Sequence, residues 1–256
     1  MTDPPNGGPR KKTVLVTGAG GGIGQALVGT FSNAGYRVVG TDREAPEVSH
    51  ACDAFVAADL RRTVEDPAYA ADRFSELKAA CAPGGLDALV NNAAVQVLKP
   101  IDELTVSDWT LTLNTNLLAP FLWIQALLPD LRAARGSVVN VSSIHARQSK
   151  SRFVAYATSK AALSAMTRNL ALELGAEVRI NAIEPAAVRT DMLLEGFEGR
   201  RERLAELERC HPVGRLAEPD EIARIALFLC SDAASFLQGS VIAATGGIHG
   251  VLTDPE

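Results

Sequence analysis

Apolar residues along the chain fall into short β-branched runs separated by longer stretches with helical spacing. Thr13-Val14-Leu15-Val16-Thr17 is uniformly apolar between two threonines and runs into a glycine cluster, the pattern of a buried strand entering a tight turn. Residues 22–34 then place Ile23, Ala26, Leu27, Phe31 and Ala34 at helical intervals, and Gly35 stands at the C′ position. Further strands are predicted at Arg37–Thr41, Ala54–Ala58, Leu86–Val90, Gly136–Val141, Val178–Ile183 and Ser240–Ala244. Helical patterns occupy 67–80, 107–134, 154–174, 190–209 and 219–230. Pro120 and Pro129 predict bends within 107–134, and Gly175 ends 154–174. Strands alternating with helices call for a parallel sheet with helices on both faces, because parallel strands need crossover connections. The predicted fold class is α/β: a doubly wound three-layer sandwich of about seven parallel strands in a single domain. That domain runs from residue 12 to 252, with a substrate-loop helix at 190–210. Residues 1–11, polar and rich in Pro and Gly, read as a flexible leader.

Composition narrows the function. Hydrophobic residues make up 47% of 256 and charged residues 21%, which argues against intrinsic disorder. The net charge of −5 makes nucleic acid a poor partner. No uninterrupted apolar run reaches the ~20 residues of a bilayer span, so no membrane segment is expected. The leader lacks the apolar core of a secretory signal. Cys52, Cys81, Cys210 and Cys230 are widely separated and do not cluster with His50, His145, His211 or His249. That spacing supports neither a metal site nor a disulfide framework, and predicts reduced thiols in a cytoplasmic protein.

The first strand opens into Thr17-Gly18-Ala19-Gly20-Gly21-Gly22-Ile23-Gly24. G-x-G-x-x-G counted from Gly18 fails, because Ile23 occupies the third glycine's place; T-G-x-x-x-G-x-G is matched instead. Gly18 lets the chain turn off the strand, Gly22 lets backbone approach a pyrophosphate, and Gly24 allows close packing behind it. The following helix N-terminus faces the phosphates, so the predicted fold is Rossmann-type. Asp42, ending the second strand, suits the ribose 2′-hydroxyl of NAD and repels a 2′-phosphate. Arg43 could hold that phosphate, so NADP is the second choice of cofactor.

Tyr156 and Lys160 stand four apart on a predicted helix, hence on one face. An ammonium beside a phenol favours the phenolate and equips the Tyr as a general acid or base. These two residues, the glycine loop, Asn91-Asn92-Ala93-Ala94, Asn116 and Ser143 occur in one order at one set of spacings. Together they resemble the single-domain short-chain dehydrogenase/reductase family, from Thr13 to about Gly247. The resemblance implies a catalytic tetrad of Asn116, Ser143, Tyr156 and Lys160. Asn116 would hold a water in a proton relay, Ser143 would bond the substrate oxygen, and Tyr156 would pass the proton. Lys160 would bind the nicotinamide ribose and lower the Tyr pKa. It implies further dinucleotide contacts. Asn91, Asn92 and Ala93 would brace the sheet and border the cofactor. Asp59, with Leu60 beside it, would contact the adenine. Pro185, Val188 and Thr190 would lie near the carboxamide and pyrophosphate. Two residues depart from the family pattern: Ala186 replaces a usual Gly after Pro185, and Glu184 stands where small residues are usual. Glu184 is read as a solvated strand-end acid, with contact to substrate as the alternative.

The substrate site is expected among Val95, Gln96, Val97, Ile144, His145, Met192, Leu193, Leu194 and Phe197, mostly apolar with a few polar points. The segment His145–Arg152 carries Arg147, Lys150 and Arg152 and no acid, so it is either a solvated loop or, through Arg147 or Arg152, a clamp for an anionic substrate. The predicted activity is NAD(H)-dependent interconversion of a secondary alcohol and a ketone, with no metal. Epimerisation or dehydration with the same bound NAD, and a non-catalytic dinucleotide sensor or scaffold, stand as alternatives. The resemblance also implies a homotetramer or homodimer, the tetramer packed through the two long helices and the C-terminal strand.

Overall fold

The computed structural model describes residues 10–45, 52–81 and 85–252. Seven strands, β1 (Thr13–Thr17), β2 (Arg37–Asp42), β3 (Ala54–Ala57), β4 (Ala88–Asn91), β5 (Ser137–Val141), β6 (Arg179–Pro185) and β7 (Val241–Ala244), form one sheet. Its order is β3-β2-β1-β4-β5-β6-β7, and every pairing is parallel. Strand bounds move from the sequence expectation by no more than two residues. The helices are α1 (Gly22–Asn33), α2 (Leu60–Glu65), α3 (Pro67–Cys81), α4 (Val106–Leu113), α5 (Ala119–Ala134), α6 (Val154–Leu174), α7 (Asp191–Glu195), α8 (Arg201–Arg209) and α9 (Pro219–Cys230).

The uniformly apolar strands are explained by burial on both faces. Val14, Val16, Val90, Val139 and Ile183 pack with Leu27, Phe31, Ile222 and Leu229 of α1 and α9. Leu15, Leu89, Val138 and Ile180 point the other way, onto Leu77, Trp123, Leu127, Leu131 and Leu174 of α3, α5 and α6. Each such fully buried side chain contributes roughly 1.5–3 kcal/mol. The stretch Val106–Ala134 is long and apolar enough to cross a membrane; here Trp123, Leu127 and Leu131 bury its inner face in the core.

Three elements differ from the sequence expectation. The single helix at 107–134 is two helices joined by a π turn at Asn114–Leu118, where Ala119 N–H donates to the Asn114 carbonyl. Pro120 has no N–H for the carbonyl four residues back, Asn116, which favours the wider turn. The charged stretch at 190–209 is broken into α7 and α8 around Gly196 and Gly199, the latter at φ +69°. The helix α2 was not foreseen; Asp59 caps it, accepting from Arg61 N at 2.9 Å and Arg62 N at 3.4 Å.

Residues 1–9 of the expected leader lie outside the described residues. Arg10 and Lys11 are not loose: the Arg10 guanidinium grips Asp87 through two 2.8 Å bonds, and Lys11 lies 3.7 Å from Asp53.

Candidate active site

The crossovers from β1 and β4 lead in opposite directions, so the carboxyl edge between them is the switch point where such sheets bind ligands. Thr17 organises that edge. Its hydroxyl oxygen accepts from Asn92 N at 3.0 Å and Ala93 N at 3.1 Å, while Asn92 Nδ2 donates to the carbonyls of Thr17 and Gly18 at 3.0 and 3.1 Å. Gly18 has φ +65°, and a β-carbon there would come within 2.8 Å of Ala93 Cα. At Gly24 it would stand 1.9 Å from the Gly18 carbonyl oxygen, so only glycine permits this loop. Gly21 caps α1 with no side-chain bond to the first-turn N–H groups. An uncapped helix start on a glycine loop fits the pyrophosphate of a dinucleotide.

Asp42 closes β2 and clasps the loop. One carboxylate oxygen accepts Gly20 N at 3.1 Å, the other Arg43 N at 2.8 Å. Arg43 is exposed beside it. Ile23 packs partly into the core, Val188 is buried, and Pro185 ends β6. Thr190 caps α7, accepting from Leu193 N at 3.3 Å. Two residues expected at the adenine also serve the fold. One Asp59 oxygen is committed to capping α2, and the Leu60 side chain is buried in the core with Leu15, Val39 and Trp123.

Asn116, Ser143, Tyr156 and Lys160 come from three elements. Asn116, fully buried in the π turn, is held on both sides: its Oδ1 accepts Val95 N at 2.8 Å, and its Nδ2 donates to Val95 O at 2.9 Å and Ser159 Oγ at 3.0 Å. Ser159 donates in turn to the Tyr156 carbonyl at 2.7 Å. Ser143 follows β5 and caps the 3-10 turn Ile144–Ala146, accepting from His145 N at 3.2 Å. Tyr156 lies in the first turn of α6, and Lys160 Nζ sits 5.8 Å from its ring centre. Lys160 is buried and donates to the Val141 carbonyl at 2.7 Å. Burial pushes its pKa down to about 8.

The Tyr156 phenol does not behave as the sequence expectation held. Its pKa is raised, first by burial, with the Ser143 hydroxyl opposing. The Lys160 ammonium is turned to the Val141 carbonyl, and burial is the largest cause of the rise at the phenol.

The substrate residues divide. His145 stacks on Phe153 at 4.2 Å and meets the Tyr156 ring edge-on at 6.0 Å, so it borders the tetrad. Burial, and then the Lys150 ammonium, push its pKa down to about 4. Gln96 and Met192 are exposed, Met192 by 74%. Arg152 is exposed at φ +76°, and its carbonyl accepts from Lys99 N at 3.2 Å.

A family model described as "Enoyl-(Acyl carrier protein) reductase" matches residues 18–249, and the solved structures similar to the chain include oxidoreductases of the short-chain dehydrogenase/reductase family. The chain belongs to the short-chain dehydrogenase/reductase family. It is 40% identical to Protein FixR of Bradyrhizobium diazoefficiens, across 93% of this chain and 87% of that protein. It is 38% identical to a D-threitol dehydrogenase of Mycolicibacterium smegmatis, across 92% of each. Ligand-free aldohexose dehydrogenase of Thermoplasma acidophilum superposes with a TM-score of 0.86 at 28% identity, covering 96% of this chain and 98% of that one. The NADP-bound 3-oxoacyl (acyl-carrier-protein) reductase of Agrobacterium tumefaciens gives 0.82 at 30% identity, covering 93% and 95%.

Both departures from the short-chain dehydrogenase/reductase pattern are accommodated. Ala186 is not among the non-glycine residues at positive φ, and its N–H donates to the Ala244 carbonyl at 3.1 Å, extending the β6–β7 pairing. Glu184 is not solvated. It is 2% exposed and bonded to Arg147 Nε at 2.6 Å and Ser164 Oγ at 2.8 Å. Arg147, one of the two residues named for the alternative of an anion clamp, is paired within the protein.

Proposed function

We propose that this chain interconverts a secondary alcohol and a ketone with NAD(H), using Tyr156 as general acid and base. The observation that carries the reading is the convergence of Tyr156, Ser143 and a buried Lys160 in a sheet whose first strand runs into an uncapped glycine-loop helix. A bound nicotinamide dinucleotide supplies the hydride acceptor or donor. Gly18, Gly22, Gly24 and the α1 N-terminus would hold its pyrophosphate, Asp42 its adenosine ribose, and Lys160 its nicotinamide ribose. Ser143 directs its hydroxyl at the substrate oxygen. With its pKa raised, Tyr156 holds its proton at neutral pH and delivers it to the oxygen of a ketone under reduction. In oxidation the phenolate takes the alcohol proton, and the Lys160 ammonium stabilises that charge. Asn116 braces the Val95 backbone against α6.

The D-threitol dehydrogenase relative supports a small polyol or sugar as substrate. The NADP-bound neighbour and Arg43 favour NADP as a second reading of the cofactor. Four free thiols support a reducing, cytoplasmic setting. Leu118 at the end of the π turn and Phe121 on α5, with Val154 and Leu172 on α6, are exposed apolar residues that support self-association through these two helices; sedimentation of the purified chain tests it, and a lone monomer removes it. For the activity, side-by-side titration with NADH and NADPH by nicotinamide fluorescence comes first, then a panel of polyols, hydroxy acids and hydroxysteroids. Tyr156→Phe should abolish turnover while keeping dinucleotide affinity; substantial remaining turnover would sink the general acid/base role.

A further inference from the structure

Glu184 is a buried acid outside the tetrad, and its two side-chain bonds run to two segments that carry the tetrad, the turn that begins at Ser143 and α6. It stands at the carboxyl end of β6, beside β5, where Ser142 N–H donates to the Ile183 carbonyl at 2.8 Å. One of its oxygens accepts from Ser164, one helical turn beyond Lys160 on α6. The Ser142 hydroxyl lies 2.8 Å from Ser164 Oγ and 2.9 Å from the Lys160 carbonyl, so it shares the same knot. Glu184's other oxygen accepts from Arg147 Nε at 2.6 Å. Arg147 is the last residue of the turn that Ser143 begins: Ala146 N bonds the Ser143 carbonyl at 2.9 Å and Arg147 N the Ile144 carbonyl at 3.0 Å. The Arg147 side chain is 58% exposed, whereas Glu184 is almost fully enclosed. The carboxylate is thus an internal anchor, and the guanidinium is a tether dropped onto it from a surface turn.

Resting on the oxidoreductase reading above, we infer that Glu184 is a positioning residue, which through Arg147 holds the Ser143–Arg147 turn, and with it Ser143 and His145, in register with Tyr156 and Lys160. The physical case is one of leverage. The turn spans only five residues, and its first residue carries the hydroxyl aimed at the reacting oxygen. Its own backbone bonds hold its shape but not its place against α6. The Ser142 hydroxyl and the stack of His145 on Phe153 hold its start against α6; its far end is held by the charge-assisted bond of Arg147 to Glu184, which ties it to β6 and, through Ser164, to α6. A shift of about 1 Å in such a group can cost on the order of a hundredfold in rate.

The test uses Glu184→Gln, Glu184→Ala, Arg147→Ala and the Glu184→Ala/Arg147→Ala double variant, with two readouts. The first is limited trypsin cleavage after Lys150 and Arg152, mapped by mass, which needs no substrate. Each single variant should be cut faster by roughly tenfold or more, as expected on losing a charge-assisted hydrogen bond, and the double variant no faster than the singles. The second is kinetics on an alcohol that the parent oxidises: kcat should fall, with dinucleotide Kd unchanged, and Glu184→Gln should retain more than Glu184→Ala. Unchanged cleavage overturns the clamp. So do effects of the two single changes that multiply in the double variant. Faster cleavage with unchanged kcat overturns the positioning role. If the Glu184 variants fail to fold, Arg147→Ala, altered at an exposed side chain, decides both readouts. A parent chain that oxidises no alcohol overturns the function proposed above, and the cleavage readout still decides whether the clamp exists.

Discussion

Thr190 presses against Gly22: a β-carbon built on Gly22 would lie 2.8 Å from the Thr190 γ-methyl and 3.0 Å from its Cβ. The glycine loop after β1 and the segment after β6 thus meet edge to edge, although 168 positions separate the two residues (190 minus 22). Thr190 cannot swing away cheaply, because its hydroxyl caps α7. Gly22→Ala should therefore destabilise the fold by about 1–3 kcal/mol through overpacking. Dinucleotide affinity should fall as well, since the same contact sets the mouth of the cradle. Thermal melts with and without NADH check both effects, and a variant that melts and binds like the parent would show that the contact relaxes freely.

Lys160 gives a stability prediction with a definite sign. Its ordinary pKa is 10.5, and burial brings it to about 8 in the folded chain. Between those values the unfolded chain binds more protons than the folded one, so stability rises with pH across that window. Below it the buried ammonium is a constant cost, and above it the cost is gone. Lys160→Met should then be more stable than the parent at pH 7, by about 1–3 kcal/mol after the lost bond to Val141 is counted. That advantage should shrink as pH approaches 10. Urea unfolding at both pH values measures it; an advantage that does not change with pH would assign it to packing instead.

The same contrast between local and distant partners decides how much could be read from the sequence. Val14–Val16 announces a strand buried on both faces because every neighbour in the run is apolar. The long helix Val154–Leu174 is legible from its composition and the glycine that follows it. The six-residue α2 is too short for periodicity, although Asp59 before it is an N-cap signal. Pro120 correctly signals an irregularity. Its form, a π turn that holds Asn116 against Val95 and Ser159, depends on partners 21 and 43 positions away. Glu184 looks solvated for the same reason: its partners Arg147 and Ser164 lie 37 and 20 positions off, and only the sheet brings them together. The Tyr156 and Lys160 spacing is local and legible, whereas the burial that raises the phenol's pKa is set by the whole site.

His145 should stay neutral through the physiological range. Burial against Phe153 and Tyr156 and the nearby Lys150 ammonium both disfavour its charged form, bringing its pKa to about 4. Beside the tetrad it therefore offers a substrate a neutral ring nitrogen rather than a charge. Its NMR titration midpoint should fall below 5, and Lys150→Ala should raise that midpoint without returning it to 6.5, because burial is the larger cause. A midpoint near 6.5 in the parent would mean that the imidazole is solvated and the stack on Phe153 is not maintained.

On the NAD(H) reading proposed above, Asp42 would set the choice between the two dinucleotides, and its geometry predicts a change in both affinities. The carboxylate already spans Gly20 N and Arg43 N, which fixes it at the mouth of the loop, where a 2′-phosphate would meet its charge. Removing it has two consequences. The ribose of NADH loses a charged hydrogen-bond acceptor, a loss of about 10–100-fold in affinity. Arg43, exposed next to it, becomes free to meet a phosphate. Asp42→Ser should thus weaken NADH and strengthen NADPH, and Asp42→Ser/Arg43→Ala should lose the gain for NADPH while keeping the loss for NADH. Titration of the parent and both variants with the two reduced dinucleotides reads the outcome. A parent that binds NADPH more tightly than NADH would reverse the assignment, giving Arg43 the deciding role and leaving Asp42 as a brace for the glycine loop.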